Sequence, residues 1–414
     1  MAGTVEVADI FRRHGEAYRQ AHGAHLGYVE HRIMSAITAC RTAALGGHVE
    51  QCAGCEHRRI AYNSCRNRHC PKCQNLARAE WLAARQAELL PVPYFHIVFT
   101  LPAPLAAMAF HNKAVLYDLL MRTAAMALRE LAADPNYLGA DIGIIAVLHT
   151  WGQNLQHHPH VHTVVPGGGL AAGGARWIAS RADFFVPVKR LSGRFRELFL
   201  DGLASAFAAG CLRFFADLAG LAEPAAFVRH LDQLRRCNWV VYAKPPWGGP
   251  EQVLAYLARY THRVAIANSR LIALEDGKVS FRWKDYRADG AAKVMTLAAD
   301  EFIRRFLLHA LPDGFQRIRH YGLFANGQRA ANLARARALL DAPPPPPPPP
   351  QNAAERLRAL TGRDLATCPA CGGTMVRIMT LPPTTAHPKP RYDKPRYAPS
   401  RCHPIATPAH CDTS

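Results

Sequence analysis

The stretch HHPHVHTVVPGGG, residues 157–169, sets the reading of this chain. Side chains alternate between faces along a strand, so residues two apart project the same way. Pro159 on one side and Pro166-Gly167-Gly168-Gly169 on the other delimit a short strand. Within it Val161 turns to the core while His160 and His162 reach out together, a bidentate seat for a divalent metal. In a chain with 21 histidines such a triplet carries little weight alone. It gains weight from YLARYTHR, residues 256–263, where Tyr256 and Tyr260 stand four apart in basic surroundings.

Working outward, YFHIVFTLP (94–102) and IGIIAVLHTW (142–151) read as buried strands, rich in β-branched and aromatic residues. NWVVYAKPP (238–246), SRLIALE and KVSFRWK read as further strands. Residues 7–45 carry helical patterning through Ile10, Phe11, Tyr18, Leu26, Val29, Ile33 and Ile37. Helical composition returns in LARAEWLAARQAELL, which Pro91 and Pro93 close, then around 105–133, 190–235 and in DEFIRRFLLHAL. Gly248-Gly249-Pro250-Glu251 has the form of a helix start, and EQVLAYLARYTHR contains no breaker, so Tyr256 and Tyr260 are expected on one helical face. The expected fold class is α+β, with an antiparallel sheet covered on at least one face.

Fifty Lys plus Arg against 31 Asp plus Glu leave a net charge of +19, which points to a polyanionic partner, nucleic acid above all. A hydrophobic content of 49% argues against global disorder. There is no signal-type N-terminus and no uninterrupted 18-residue apolar run, so a cytoplasmic protein without a membrane partner is expected. Thiols stay reduced in that compartment, and the twelve cysteines read as metal ligands or core residues.

Cys52-x-x-Cys55 and Cys70-x-x-Cys73, fourteen residues apart, have the spacing of a four-thiolate structural zinc site. Cys65, His57 and His69 lie within reach, for a swapped ligand or a second ion. The polar run CRNRHCPKC could not bury itself without metal, and Arg66, Arg68 and Lys72 (with Arg58 and Arg59) are candidate phosphate contacts. Cys368-Pro-Ala-Cys371 is half of a second such site, with Cys402, His403, His410 or Cys411 as possible partners. Eight prolines, Pro343–Pro350, mark a boundary that would span roughly 25 Å as a polyproline II rod. Three regions result: residues 1–90 helical and zinc-binding, 91–340 catalytic, and 341–414 linker, cysteine pair and tail. The tail from about 382 is expected to be disordered.

A metal site for phosphodiester chemistry needs a third ligand beside His160 and His162. Gln153, seven residues before His160, is the preferred one, and His149 on the preceding strand is the alternative. Two imidazoles and an amide oxygen suit magnesium or manganese. Such an ion polarises a phosphate oxygen, and a tyrosine could then attack phosphorus. Tyrosine's free pKa of about 10 makes it a poor nucleophile without cationic neighbours, which Arg259, His262 and Arg263 could supply.

These residues resemble the HUH endonuclease superfamily, and more closely the two-tyrosine rolling-circle transposases of the insertion sequence 91 family. The resemblance rests on NSCRNRHCPKCQ (63–74), YFHIVFTLP (94–102), HHPHVHTVVPGGGL (157–170), YLARYTHRVAIANSRL (256–271) and EFIRRFLLHALPDGFQRIRHYGLFAN (301–326). It implies an HUH-type sheet domain behind the zinc-binding segment and a metal on the histidine pair. It also implies cleavage and joining of single-stranded or extruded DNA at element ends, through 5′-phosphotyrosine links to Tyr256 and Tyr260. No Walker-type loop or helicase module accompanies these motifs, so host replication or helicase proteins would supply unwinding. The same resemblance implies a bacterial, nucleoid-associated protein. A replication initiator or relaxase of the same superfamily, and a non-enzymatic zinc-dependent DNA-binding regulator, are the rival readings. Oligomeric state is not legible.

Overall fold

The computed structural model describes residues 5–182, 185–244, 246, 249–261, 265–285, 288–343, 355, 358, 362 and 364–384, with backbone alone at 75–76 and 256–261. Its centre is a five-stranded antiparallel sheet. The members are β3 (Tyr94–Thr100), β4 (Gly143–Trp151), β5 (His157–Pro166), β8 (Val241–Lys244) and β12 (Ile318–Gly322), in the order β12-β4-β5-β3-β8. The strands expected near 94, 142, 160 and 238 all form.

Period-two alternation divides the sheet's side chains between two cores. On one face Phe95, Ile97 and Phe99 of β3, Ile144, Ala146 and Leu148 of β4, and Val161 and Val165 of β5 are fully buried. They pack beneath α4 (Ala106–His111), α5 (Lys113–Ala133), α6 (Val188–Ala208) and α7 (Pro224–Arg236). On the other face Tyr94, Ile145, Val147 and Val164 lie under Val253 of α8 (Pro250–Thr261) and Leu333 and Ala336 of α10 (Arg329–Leu339). Both faces are therefore covered over part of their length, and the second face also carries the histidines.

A second core joins segments distant in sequence. Ile10, Phe11 and Tyr18 of α1 (Val7–His22) and Ile33, Met34 and Ile37 of α2 (Tyr28–Ala39) pack on Phe281 of β10 (Lys278–Asp285) and on Phe302, Ile303 and Phe306 of α9 (Ala299–Leu308). Strands β9 (Leu271–Glu275), β10 and β11 (Ala291–Ala298) form the sheet beneath them. Helices α1 and α2 thus share a core with residues 265–310. The two helices pack on each other, and β10 with α9 completes the core they begin.

Three further elements complete the small sheet: β1 (Gly47–Cys52), β2 (Arg58–Tyr62) and β13 (Met375–Leu381), in the order β13-β1-β2. Strands β6 (Gly168–Leu170) and β7 (Trp177–Ala179) pair as a two-stranded ribbon, and these two, with β1, β11, β12 and β13, have no counterpart among the strands read from sequence. Helix α3 (Pro71–Gln86) runs from the cysteines of the zinc-binding segment to the central sheet and packs on α8.

Gly322 closes β12 opposite Gly143 with φ +60, and a Cβ there would stand 1.9 Å from the Ile142 carbonyl oxygen. The group met is backbone, not the flexible end of a side chain, so it cannot simply yield. Gly322→Ala is expected to lower stability by about 2 kcal/mol or more, measured as a lower urea midpoint with unchanged slope. An unchanged midpoint would contradict this placement of β12.

Candidate metal centre

Strands β4 and β5 form a hairpin whose register sets His149 directly opposite His160. His162 follows two residues along on the same face, as the spacing requires. Ligand-capable nitrogens of His149, His160 and His162 all lie within 4.8 Å of one another. Val161, between the two β5 histidines, is fully buried on the opposite face. Ring centroids stand 5.2 Å apart for His149 and His160, 4.3 Å for His149 and His162, and 4.9 Å for His160 and His162. Trp151 stacks on His149 at 4.6 Å and closes one flank.

Hydrogen bonds fix how two of these rings present themselves. His160 Nδ1–H donates to the His158 carbonyl at 2.7 Å, which makes Nε2 the nitrogen that carries the lone pair. His162 Nδ1 stands 2.8 Å from Nε2 of His96 on β3. If Nε2 of His162 is to ligate, its Nδ1–H must donate to His96, the supporting contact that metal-bound histidines usually have. Burial lowers the pKa of His160 to about 4 and that of His162 well below its ordinary value. Burial likewise lowers His96 to about 4. All three are neutral at pH 7, the form that metal ligation needs. His96 sits in YFHIVF, 66 residues before His162, and the β3–β5 register brings the two together.

The loop between β4 and β5 is pinned through its carbonyls. Arg270 Nη2 donates to the Gln153 carbonyl at 2.6 Å, Arg305 Nη1 to Asn154 at 3.0 Å, and His309 Nε2 to Leu155 at 3.1 Å. Arg305 also pairs with Glu301 at 2.6 Å. Leu155, with φ +63, is buried in the core built from α1, α2 and α9. The hairpin is thus held by the second core as well as by its own sheet. Gln153 lies in this turn, whereas His149 lies in the cluster itself.

Tyr256, Arg259 and Tyr260 lie on the backbone of α8, and their side chains fall outside the described residues, as does Arg263 altogether. Helix α8 itself packs on β3, β4, β5 and α3, with Val253 and Leu254 buried. Val253 belongs to the core on the histidine-bearing face of the sheet.

The single four-thiolate site expected from Cys52, Cys55, Cys70 and Cys73 does not form. Cys70 and Cys73 join Cys40 and Cys65, while Cys52 and Cys55 join Cys368 and Cys371, each set within 4.8 Å. The reason is local. Cys52 and Cys55 sit at the turn between β1 and β2, whereas Cys70 caps the start of α3 and Cys73 lies in its first turn. Cys40 follows the end of α2, and its sulfur stands 3.6 Å from that of Cys73, as does the sulfur of Cys65. A fourteen-residue gap mimics a zinc ribbon, and Cys40 has no neighbouring cysteine to signal its role. His69 is not among these ligands: its Nδ1 faces Asn67 Oδ1 at 3.1 Å and its Nε2 accepts from the Leu311 amide at 3.2 Å.

Of the candidate phosphate contacts, Arg66 is exposed. Arg68 instead spends its guanidinium on the Phe315 and Pro312 carbonyls at 2.6 Å each, and Lys72 pairs with Glu6 at 2.6 Å. The tail residues Cys402, His403, His410 and Cys411 lie outside the described residues. No described helix is long and apolar enough to cross a membrane.

An antiparallel sheet thus carries a three-histidine cluster in a basic chain that also holds two four-cysteine clusters, each with the donor set of a metal site. Residues 10–101 match the family described as "Transposase zinc-binding domain", and residues 143–332 match one described as "Putative transposase". A Sinorhizobium fredii protein described as "Putative transposase y4qJ" is 58% identical over 388 residues, 93% of this chain and 97% of the relative. The "Transposase for insertion sequence element IS801" of Pseudomonas savastanoi pv. phaseolicola is 29% identical over 351 residues, 84% of this chain and 83% of the relative. No solved structure matches with significance. The chain belongs to the insertion sequence 91 family of transposases.

Two expectations follow. Cys40→Ser should lower bound zinc by one equivalent per chain, as should Cys70→Ser, measured by elemental analysis; full zinc retention in Cys40→Ser would restore the single-site grouping. Arg304 and Arg305 hold the Glu301 carboxyl down to about 2, below its ordinary range. A depressed folded pKa gives stability that is present above about pH 4 and is lost as pH falls toward 2. Glu301→Gln should therefore cost less than about 1 kcal/mol at pH 7, since the pair is partly exposed, and nothing near pH 2. A constant difference across that range in chemical denaturation would contradict the pairing.

Proposed function

We propose that this transposase cleaves and rejoins single-stranded DNA by a rolling-circle route, with Tyr256 and Tyr260 as nucleophiles opposite a metal on the β4–β5 histidines. The observation that carries this reading is the shared face: His149, His160 and His162 continue the row of Ile145, Val147 and Val164, and α8 covers that row through Val253. Tyr256 and Tyr260 follow Val253 by three and seven residues, the spacing of one helical stripe.

His160, His162 and His149 would hold the divalent ion, in the place where Gln153 was expected as third ligand. Three neutral imidazoles are a softer set than two with an amide oxygen, and so favour manganese over magnesium. A bound ion there would supply Lewis-acid polarisation of the scissile phosphate and a fixed orientation for it. The phenol oxygen attacks phosphorus, the bond to the 3′-oxygen breaks, and that oxygen leaves as a 3′-hydroxyl after taking a proton. The 5′-phosphate stays on tyrosine. A later attack by a 3′-hydroxyl returns the phenol and rejoins the strand, so no nucleotide hydrolysis is needed. The second tyrosine permits a second cleavage before the first link is resolved.

Arg259 and Arg263 would stabilise the developing phenolate and engage neighbouring phosphates, and Arg66 offers an exposed cation on the zinc-binding segment. Residues 91–340 carry the catalytic parts and 1–90 the metal-stabilised DNA contacts. The DNA partner is the single-stranded or extruded element end, with host replication or helicase proteins opening the duplex.

The test uses labelled single-stranded oligonucleotides spanning an element end, with manganese. Tyr256→Phe together with Tyr260→Phe should abolish the covalent protein–DNA adduct and leave DNA binding within a few-fold. His160→Ala and His162→Ala should each reduce cleavage at least about 100-fold, with chelator giving the same loss in the parent. Adduct in the double tyrosine variant, or full cleavage in excess chelator, would overturn the mechanism.

A further inference from the structure

The Cys52–Cys55–Cys368–Cys371 cluster lies partly outside both family matches, since residues 368 and 371 follow the last matched position, 332. We propose that it is a second zinc site, one that clasps the segment beyond the polyproline run onto the zinc-binding segment, and it does not depend on the catalytic reading above.

The donor geometry fits zinc. Four sulfurs at about 2.3 Å from a tetrahedral ion stand about 3.8 Å apart. Here Cys52 and Cys371 sulfurs are 3.4 Å apart and those of Cys55 and Cys368 are 3.7 Å apart. Backbone amides also aim at the sulfurs: Gly54 donates to Cys52 Sγ at 3.3 Å, Ala370 to Cys368 Sγ at 3.4 Å, and Gly373 to Cys371 Sγ at 3.4 Å. Amides two residues beyond each cysteine stabilise a thiolate and make the turn that a metal knuckle uses. Gly372 supplies φ +76 after Cys371, and a Cβ on Gly373 would stand 3.1 Å from Cys52 Sγ. The glycines of CPACGG are thus required by the approach of the two knuckles.

Hydrophobic burial cannot hold this segment. Among the residues of β13 only Met375 is buried, and Cys52, Cys368 and Met375 form the whole apolar cluster there. Strand β13 nonetheless pairs along β1 from Cys52↔Met375 to Gly47↔Leu381, and Ala53 donates to the Thr374 carbonyl at 2.9 Å. Arg59 adds a bond to the Leu365 carbonyl. Without β13 the small sheet is the β1–β2 hairpin alone, and isolated hairpins are marginal in water. Four thiolates on a shared zinc supply what the missing core does not, and metal binding here is coupled to docking of the strand.

The test takes the full chain, purified under reducing conditions, and the variant carrying Cys368→Ser with Cys371→Ser. Elemental analysis should show one zinc fewer per chain in the variant. Hydrogen exchange of β13 and β1 amides should be at least about tenfold faster, while β4 and β5 amides keep their parent rates. A parent-only arm guards against misfolding of the variant. Alkylation followed by peptide mass mapping should find Cys52, Cys55, Cys368 and Cys371 protected together and released together by a zinc chelator. Unchanged zinc content in the variant would overturn the proposal. So would rapid alkylation of Cys368 and Cys371 in the zinc-loaded parent, or disulfides linking them to Cys52 and Cys55.

Discussion

The antiparallel register of β4 against β5 is the constraint on which the candidate centre depends. It sets His149 across from His160, and the two-residue period then puts His162 on the same face. A slip of β5 by one residue against β4 would turn His160 and His162 into the apolar core under α5 and α6, away from His149, and bring Val161 out. The register is held from both ends. Ile144, Ala146, Leu148, Val161 and Val165 fill the core on one face, and Arg270, Arg305 and His309 grip the connecting turn from the second core. The neutral state of His160 and His162 follows from the same burial, since desolvation disfavours their charged form.

A different force organises the front of the molecule. Helices α1 and α2 find apolar partners in α9 and β10, but the segment from 40 to 73 is rich in arginine and poor in core residues. Sulfur takes the place of hydrocarbon there. One cysteine set ties the end of α2 to the start of α3, and the other ties the β1–β2 turn to a segment some three hundred residues later in sequence. Helix α3 then runs from the first cluster to α8. The metal-binding front and the helix bearing the tyrosines are therefore in direct mechanical contact.

The parts of this architecture that local chemistry determines were legible in the sequence. Strand alternation around His160 and His162, the buried strands at 94 and 142, the unbroken helix after Pro250 and the presence of clustered cysteines all follow from neighbours within a few residues. What long-range pairing decides was not legible. The grouping of cysteines depends on where α2 ends and on a strand beyond the polyproline run, so spacing alone joined the wrong pairs. His96 gains its place only through the β3–β5 register. That position 153 lies in the turn and not in the strand is likewise a long-range matter, since three carbonyl contacts from residues 270, 305 and 309 hold that turn. Arg68 reads as a surface cation because its two carbonyl partners lie near residue 315.

The claim that the β4–β5 histidines form a divalent-metal centre is tested most directly by crystallography of the chain grown with manganese, using anomalous scattering at the manganese edge. The account predicts one anomalous peak at bonding distance from nitrogens of His149, His160 and His162 together, with His162 Nδ1 still facing His96. No peak at that position, or a peak ligated by Gln153 with His149 turned away, would contradict it.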